Sequence, residues 1–486
     1  MFLAILPEIL ILALAIVVLF VELILPDEQR GSLGWVTAAG LLLIIGLSLA
    51  FARPGSDPRL VWGGMLRQDW LGFVFKMLFL FAAAITALFS VDLARMGKRG
   101  EFYLLMLAST LGMNLMASAG DLIMLYLAIE TTSIPLYILA GFLTSDDKST
   151  ESGFKYLLFG AMTSTIMLYG FSLLYGFAGT TNLYGIIQGV QEGQLPAVSL
   201  MGCLFLVLVG FGFKISAVPL HFWAPDVYEG APTPIAGFLS TASKAAGFAV
   251  LMRVLLAVFP TDPATSPVAI PWPAVLAVLS TATMTVGNTL ALAQRNIKRM
   301  LAYSSIAHAG YAMIGLVAVY NPVSRSLGIA SVILYLFAYV VTNLAAFGVV
   351  AAVGRVIGSD EIAAYAGLSR RSPWLALAML VALLSLAGMP PFGGFVAKFA
   401  VFASAVKADQ VWLAFVGVLN SIVGLYYYLT VLKVVYLFRS EDEEKPMPVT
   451  HSYATALIVL MLGIVLIGTI FAPWFSLSTI AAAAIY

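Results

Sequence analysis

Apolar runs of about 20 residues recur along the whole chain, separated by short polar breaks, and that is the length an α-helix needs to cross a bilayer. Windows of this size give fourteen candidate spans, at roughly 2–25, 33–51, 70–90, 102–119, 121–143, 154–178, 199–222, 233–259, 272–293, 300–320, 327–353, 373–406, 411–438 and 453–475. The twelfth is too long for one straight helix. It contains "GMPPFGGF" at Gly388–Phe395, where two prolines remove backbone donors and two glycines loosen the backbone after them. In the seventh, Pro219 cannot donate to the carbonyl of Ile215. The pattern predicts an all-α polytopic membrane protein with about 14 transmembrane helices, of which helices 7 and 12 are discontinuous.

Composition agrees with this reading. Of 486 residues, 61% are hydrophobic and only 10% charged, against about 25% charged in soluble domains. A net charge of +1 argues against a nucleic-acid partner. The single cysteine, Cys203, excludes an internal disulfide framework and a CxxC metal or cluster site. The first apolar segment holds Glu8 and Glu22 and lacks a small-residue cleavage site, so it is expected to be a retained helix.

Charge placement sets an expected orientation. Loops joining even spans to odd spans hold five Lys and Arg residues, and the alternate loops hold thirteen. The positive-inside rule then puts the second set in the cytoplasm and both termini on the outer face of the membrane, which is expected to be a bacterial inner membrane. Seven of the 25 basic residues remain in or beside spans: Lys76, Lys155, Lys214, Lys244, Arg253, Lys398 and Lys433. Lys155 opens its helix. Lys76, Arg253 and Lys433 lie near span ends and are expected to snorkel.

Lys214, Lys244 and Lys398 lie deeper. On insertion scales a lysine at the bilayer centre costs roughly 2.5–3.5 kcal/mol. Glu130, in "LYLAIETTSIPLY", is the acidic counterpart. A buried ion pair such as Glu130–Lys214, kept for helix docking alone, is the simpler alternative, but one acid and three lysines do not neutralise pairwise, so the excess lysines need another explanation. Removal from water favours the neutral form of an amine, and a lysine near a carboxylate then exchanges a proton at moderate pH. A row of such groups is a candidate proton relay. His308, in "AYSSIAHAGYAMIG", adds a group whose ordinary titration range suits proton exchange, and Ser304 and Ser305 beside it could hold water.

The two breaks fall at matching places. Spans 4–8 and 9–13 are each five helices, so consecutive copies must run in opposite directions, and each break is fourth in its half. Interrupted helices in corresponding positions point to an inverted repeat. The expected units are three N-terminal helices (1–101), a first five-helix repeat (102–259), a second (260–438), and an acidic cytoplasmic loop with helix 14 (439–486).

At these residues the chain resembles a known family. "FKISAVPLHFWAPDVYEGAPTPIAGFLSTASKAAGF" (Phe213–Phe248) and "QRNIKRMLAYSSIAHAGYAMIG" (Gln294–Gly315) are similar to the antiporter-like membrane subunits of respiratory complex I. The "PDVYEGAP" run, and a lysine after "GMPPFGGFVA", favour the subunit N branch. The resemblance covers essentially the whole chain. It implies proton translocation driven by NADH oxidation and quinone reduction in other membrane and peripheral subunits, which would hold the NADH, FMN, iron–sulfur and quinone sites. It also implies that Glu130 and Lys214 form a coupling ion pair, that Lys244 is the central relay lysine and that Lys398 is the terminal one. The resemblance also implies no redox centre in this chain, in agreement with the missing haem-type histidine pair and Rossmann and Walker motifs; "GFGFK" is a helical stretch, and no cofactor or metal is expected here. Two rivals are a subunit of a multi-subunit cation/proton antiporter or membrane-bound hydrogenase, and a stand-alone transporter of an organic substrate.

Overall fold

A computed structural model describes residues 2–93, 96–192, 196–259, 261, 270–440 and 445–485. Arg95 and the acidic residues 441–444 of the expected cytoplasmic loop lie outside the described residues. The chain is built of helices. The first group is α1 (Leu6–Ile24), α2 (Leu33–Phe51), α3 (Trp70–Ser90) and α4 (Gly100–Ser118). Next come α5 (Leu122–Ala140), α6 (Asp147–Ala178), α7 (Leu183–Glu192), α8 (Ala197–Ile215), α9 (Trp223–Gly230), α10 (Thr233–Phe238) and α11 (Lys244–Val258). They are followed by α12 (Trp272–Ala291), α13 (Ile297–Val317), α14 (Arg325–Ile357), α15 (Leu368–Arg371), α16 (Pro373–Ala387) and α17 (Gly393–Lys407). The last three are α18 (Val411–Leu437), α19 (His451–Thr469) and α20 (Ala472–Ala483). A short antiparallel hairpin, Arg59–Val61 with Leu66–Gln68, precedes α3.

Among the described residues, twelve helices are long and apolar enough to cross a membrane. Each overlaps one of the expected spans. The stretch expected to hold a broken twelfth span is two helices, α16 and α17. The expected seventh span, 199–222, is α8 only as far as Ile215, and the next helix, α9, starts at Trp223, just past its expected end. Burial divides the helices into a core and a rim. Some 94% of the most apolar window is buried in the α13 and α14 spans, against 33% in the first. The rim helices α1, α6 and α18 expose Phe20, Leu23, Phe154, Leu158, Phe415 and Ile422, as helices facing lipid or neighbouring chains do.

Side chains fix the helix starts. Asp69, Asp121, Asp146 and Asn296 accept hydrogen bonds from the first-turn amides of α3, α5, α6 and α13. The two breaks use one local design. α8 ends on Ser216 in the left-handed region, φ 58°, with Ala217 N donating to Gly212 O at 2.8 Å. α16 ends on Gly388, φ 86°, with Met389 N donating to Leu384 O at 3.0 Å. In both, the amide after the left-handed residue reaches back five positions, which is a Schellman cap. A proline joined by a cis bond follows three residues after each cap, at Pro219 and Pro391.

Candidate functional site

Glu130 and Ser133 lie one turn apart on α5 and face α6 and α8. Glu130 is half-buried and accepts the hydroxyl hydrogen of Ser164 on α6. Lys214, in the last turn of α8, donates from Nζ to Ser133 Oγ at 2.9 Å. Ser133 gives its own proton to Ile129 O at 2.7 Å, which leaves lone pairs for the ammonium. Glu130 and Lys214 line a common cavity of about 20 Å³, room for roughly one water molecule. The ion pair implied by the resemblance is therefore not in direct contact in this structure. The amine is taken by Ser133, one turn after Glu130, and the carboxylate by Ser164.

Beyond Lys214 the interrupted backbone finds partners. Trp223 Nε1 donates to Phe213 O at 3.2 Å, and Val218 N donates to Thr283 Oγ1 at 3.0 Å. Tyr156 stacks on Trp223 with centroids 4.5 Å apart, and Phe213 packs beside it. The side chain of Lys214 runs against Gly247 on α11, one turn after Lys244. A β-carbon at that glycine would lie 3.1 Å from Lys214 Cγ.

Lys244 opens α11 directly after a π-helical turn, Leu239–Ser243. Such turns inside α-helices are frequent at functional positions. The lysine is 2% exposed and has no carboxylate partner among the described residues. Nζ donates to Ser305 O at 2.8 Å and also to Ser305 Oγ.

Ser304, His308 and Tyr311 follow at spacings of four and three, so they form one stripe on α13. His308 Nδ1 pairs with Tyr335 OH at 2.6 Å and Nε2 with Tyr428 OH at 3.3 Å. Tyr428 also bonds Ser304. Tyr339 stacks on the imidazole at 5.0 Å. Lys398 on α17 lies over the Tyr311 ring, 4.8 Å from its centroid, and donates to Ala387 O at 3.1 Å. That carbonyl belongs to the broken end of α16, where the partial negative charge of a helix C-terminus favours an ammonium. Asn288 holds the other side, donating to Tyr311 OH and accepting from Tyr427 OH, each at 3.0 Å. Three buried polar groups thus succeed one another along α13: Lys244 on Ser305, His308 with Tyr335 and Tyr428, and Tyr311 under Lys398.

Residues 119–424 match the family described as NADH:quinone oxidoreductase/Mrp antiporter, transmembrane. NADH-quinone oxidoreductase subunit N of Moorella thermoacetica is 45% identical over 464 residues, covering 95% of this chain and 94% of the relative. The chain belongs to this family, on its subunit N branch. Among solved structures, a chain of respiratory complex I from Thermus thermophilus with bound aureothin is 33% identical, with a TM-score of 0.79, covering 97% of this chain and 98% of that one. A chain of the Mrp complex from Dietzia superposes with a TM-score of 0.84 but only 22% identity, covering 99% and 97%, and so speaks for the fold alone.

In this subunit N relative, two of the lysine and arginine residues expected to snorkel are instead paired in the interior. Lys76 contacts Glu8 at 2.7 Å, both about 5% exposed. Arg253 is fully buried, bonded to Asp69 at 2.7 and 3.0 Å, to Tyr184 OH and to Ala117 O. The acids come from helix α1 and from the loop before α3, pairings that sequence distance conceals. Lys433 stays exposed beside the Phe438 ring. A second charged group links α6, α9 and α13: Lys155 and Arg299 hold Asp226 at 2.6 and 2.7 Å, and Lys148 and Arg299 hold Glu229 at 2.7 and 2.8 Å. Burial alone would raise both acids, but these hydrogen bonds outweigh it and hold Asp226 and Glu229 below their ordinary range. Among the described residues no group of three or more His, Cys, Asp or Glu could hold a metal ion.

Proposed function

We propose that this chain is a proton-translocating membrane subunit of an NADH-quinone oxidoreductase, with Glu130, Lys214, Lys244, His308 and Lys398 as its relay. The reading rests on the buried amine of Lys244, which meets no carboxylate among the described residues and is bonded to Ser305 on α13, the helix that next carries His308, bonded to Tyr335 and Tyr428, and then Tyr311, whose ring lies under Lys398. Hydroxyls and imidazole both donate and accept, so they pass a proton onward, whereas an apolar seam would block it.

In this reading Lys244 takes up a proton from the cytoplasmic side. A change in the Glu130–Lys214 cavity, driven by a neighbouring subunit, moves the Lys214 stem against Gly247 and alters the field at Lys244. Direct pairing of Glu130 with Lys214 is then one state of a cycle, and the serine-separated arrangement another. The proton moves along α13 to Lys398 and leaves. One charge against 100 mV is worth about 2.3 kcal/mol, within the reach of a shifted buried charge pair. NADH, FMN, iron–sulfur and quinone chemistry belong to partner subunits here, and this chain contributes proton movement.

The matched Schellman caps and prolines of the two breaks support an inverted repeat, 102–259 with 260–438. The excess of basic residues in alternate loops supports an orientation with both termini outward, and the relative from Moorella thermoacetica supports a bacterial inner membrane. A high-resolution map of the assembled enzyme tests the relay. Ordered water bridging the hydroxyls between Lys244 and Lys398 is expected, and a dry apolar seam there would sink it.

A further inference from the structure

Lys244 is aimed by the turn that precedes it. In the π turn Leu239–Ser243 the hydrogen-bond register slips by one residue, and two of its hydroxyls bond back to the carbonyl of Gly237. Ser240 Oγ and Thr241 Oγ1 both donate to Gly237 O, at 2.9 and 2.7 Å. The lone pairs of Ser240 Oγ then accept Asn343 Nδ2, on α14, at 2.7 Å. The same amide nitrogen donates to Tyr339 OH at 3.1 Å, and Tyr339 is the ring stacked on His308. One side chain therefore holds both the turn that carries Lys244 and the ring that covers His308.

Asn343 is fully buried, yet its Oδ1 has no hydrogen-bond partner among the described residues. An unpaired amide oxygen in a core asks for a reason. By contrast, Asn288, on the far side of Tyr311, has both amide atoms engaged. Asn343 is gripped from its nitrogen side alone, which lets the amide follow the π turn while keeping hold of Tyr339. The preceding residue, Thr342, shares a hydrogen bond with Ser385 at 3.0 Å, and Ser385 Oγ accepts Gly394 N at 3.1 Å across the second break. Consecutive residues of α14 thus touch the Lys244 turn and the break that seats Lys398.

We propose that Asn343 is a positioning residue of the relay, holding the π turn that aims Lys244 at Ser305 and tying it to the Tyr339–His308 stack. This rests on the proton-relay reading above. Asn343 carries no proton itself and acts through its two neighbours.

The test is made in the assembled enzyme in membrane vesicles, comparing Asn343→Leu, Ser240→Ala, Ser240→Thr and Lys244→Met. Asn343→Leu is expected to assemble and to oxidise NADH with quinone, but to pump roughly threefold to tenfold fewer protons per electron, the scale of losing one or two buried hydrogen bonds. Its pumping–pH profile is expected to shift. Ser240→Ala should reproduce the loss, Ser240→Thr should restore it, and Asn343→Leu with Ser240→Ala should be no worse than either alone. Unchanged pumping in Asn343→Leu, or a loss matched by subunit amount with an unchanged pH profile, overturns the proposal. If Asn343→Leu does not assemble, Ser240→Ala decides by the same readings. Normal pumping in Lys244→Met would fail the relay reading itself, whereas lost pumping there with normal pumping in Asn343→Leu would fail this inference alone.

Discussion

Gly388 and Lys398 pack so closely that a β-carbon on the glycine would lie 2.8 Å from Cδ of the lysine. The glycine also has φ 86°, where an L side chain is strained. The two residues meet because α16 must end and turn to leave its carbonyl free for the ammonium. Gly388→Ala is therefore expected to cost about 1–2 kcal/mol from the backbone alone and to push Lys398 off Ala387 O. Proton-to-electron ratio should fall more than NADH oxidation does. Equal falls in both would mean a general folding defect.

Gly247 plays the corresponding part for Lys214. A methyl group there would meet Ile215 Cγ2 at 2.9 Å and Lys214 Cγ at 3.1 Å. Overpacking of this kind costs about 1–3 kcal/mol. Gly247→Ala should lower pumping, while Gly202→Ala on α8, with nothing within 4 Å of the new methyl, should be neutral or slightly stabilising. Similar pumping in the two variants would detach Lys214 from Lys244.

The deep charges are legible from sequence because a lysine or histidine inside an apolar run has no ordinary reason to be there. Lys214, Lys244, Lys398 and His308 all stand out this way, and Pro219 and Pro390–Pro391 mark the breaks. The groups that join them do not stand out. Ser305, Tyr311, Tyr335, Tyr339 and Tyr428 are hydroxyl-bearing residues of a kind common in membrane helices, and only tertiary packing turns them into a line. The His308-to-Tyr311 spacing on α13 is a usable signal. The π turn before Lys244 has no compositional mark, since it is a slip of hydrogen-bond register in "LSTAS". Arg253 and Lys76 read as snorkelling residues for a related reason: Asp69 and Glu8 reach them from distant segments.

Those two pairs make a contrasting prediction. Asp69→Ala would leave Arg253 buried without its counter-charge, a change worth about 3–5 kcal/mol. Subunit abundance and enzyme assembly should drop together with every activity. Replacing Arg253 and Asp69 together by methionine and leucine should recover only part of the loss, because Asp69 also caps α3 and pairs with buried Arg67 at 3.2 Å. A pumping defect in Asp69→Ala with normal assembly would instead draw this pair into the proton path.

The cluster of Asp226 and Glu229 with Lys148, Lys155 and Arg299 gives a pH prediction. Both acids are held below their ordinary values of about 4. Their contribution to stability is fully present above that value and is lost as pH falls through the lowered folded values. Thermal melting of the purified enzyme should accordingly show no contribution from this cluster to any change across neutral pH, and a decline below about pH 4 that Asp226→Asn with Glu229→Gln reduces. A cluster-dependent transition near pH 7 would contradict the assignment.

The relay stands or falls on the proton-to-electron ratio of vesicles carrying Lys244→Met in the fully assembled enzyme. Methionine keeps the length and apolar packing of the lysine stem and removes only the titrating amine, so assembly and NADH oxidation should be retained. A clear fall in protons pumped per electron is expected. An unchanged ratio at normal assembly would remove Lys244 from the path and contradict the relay.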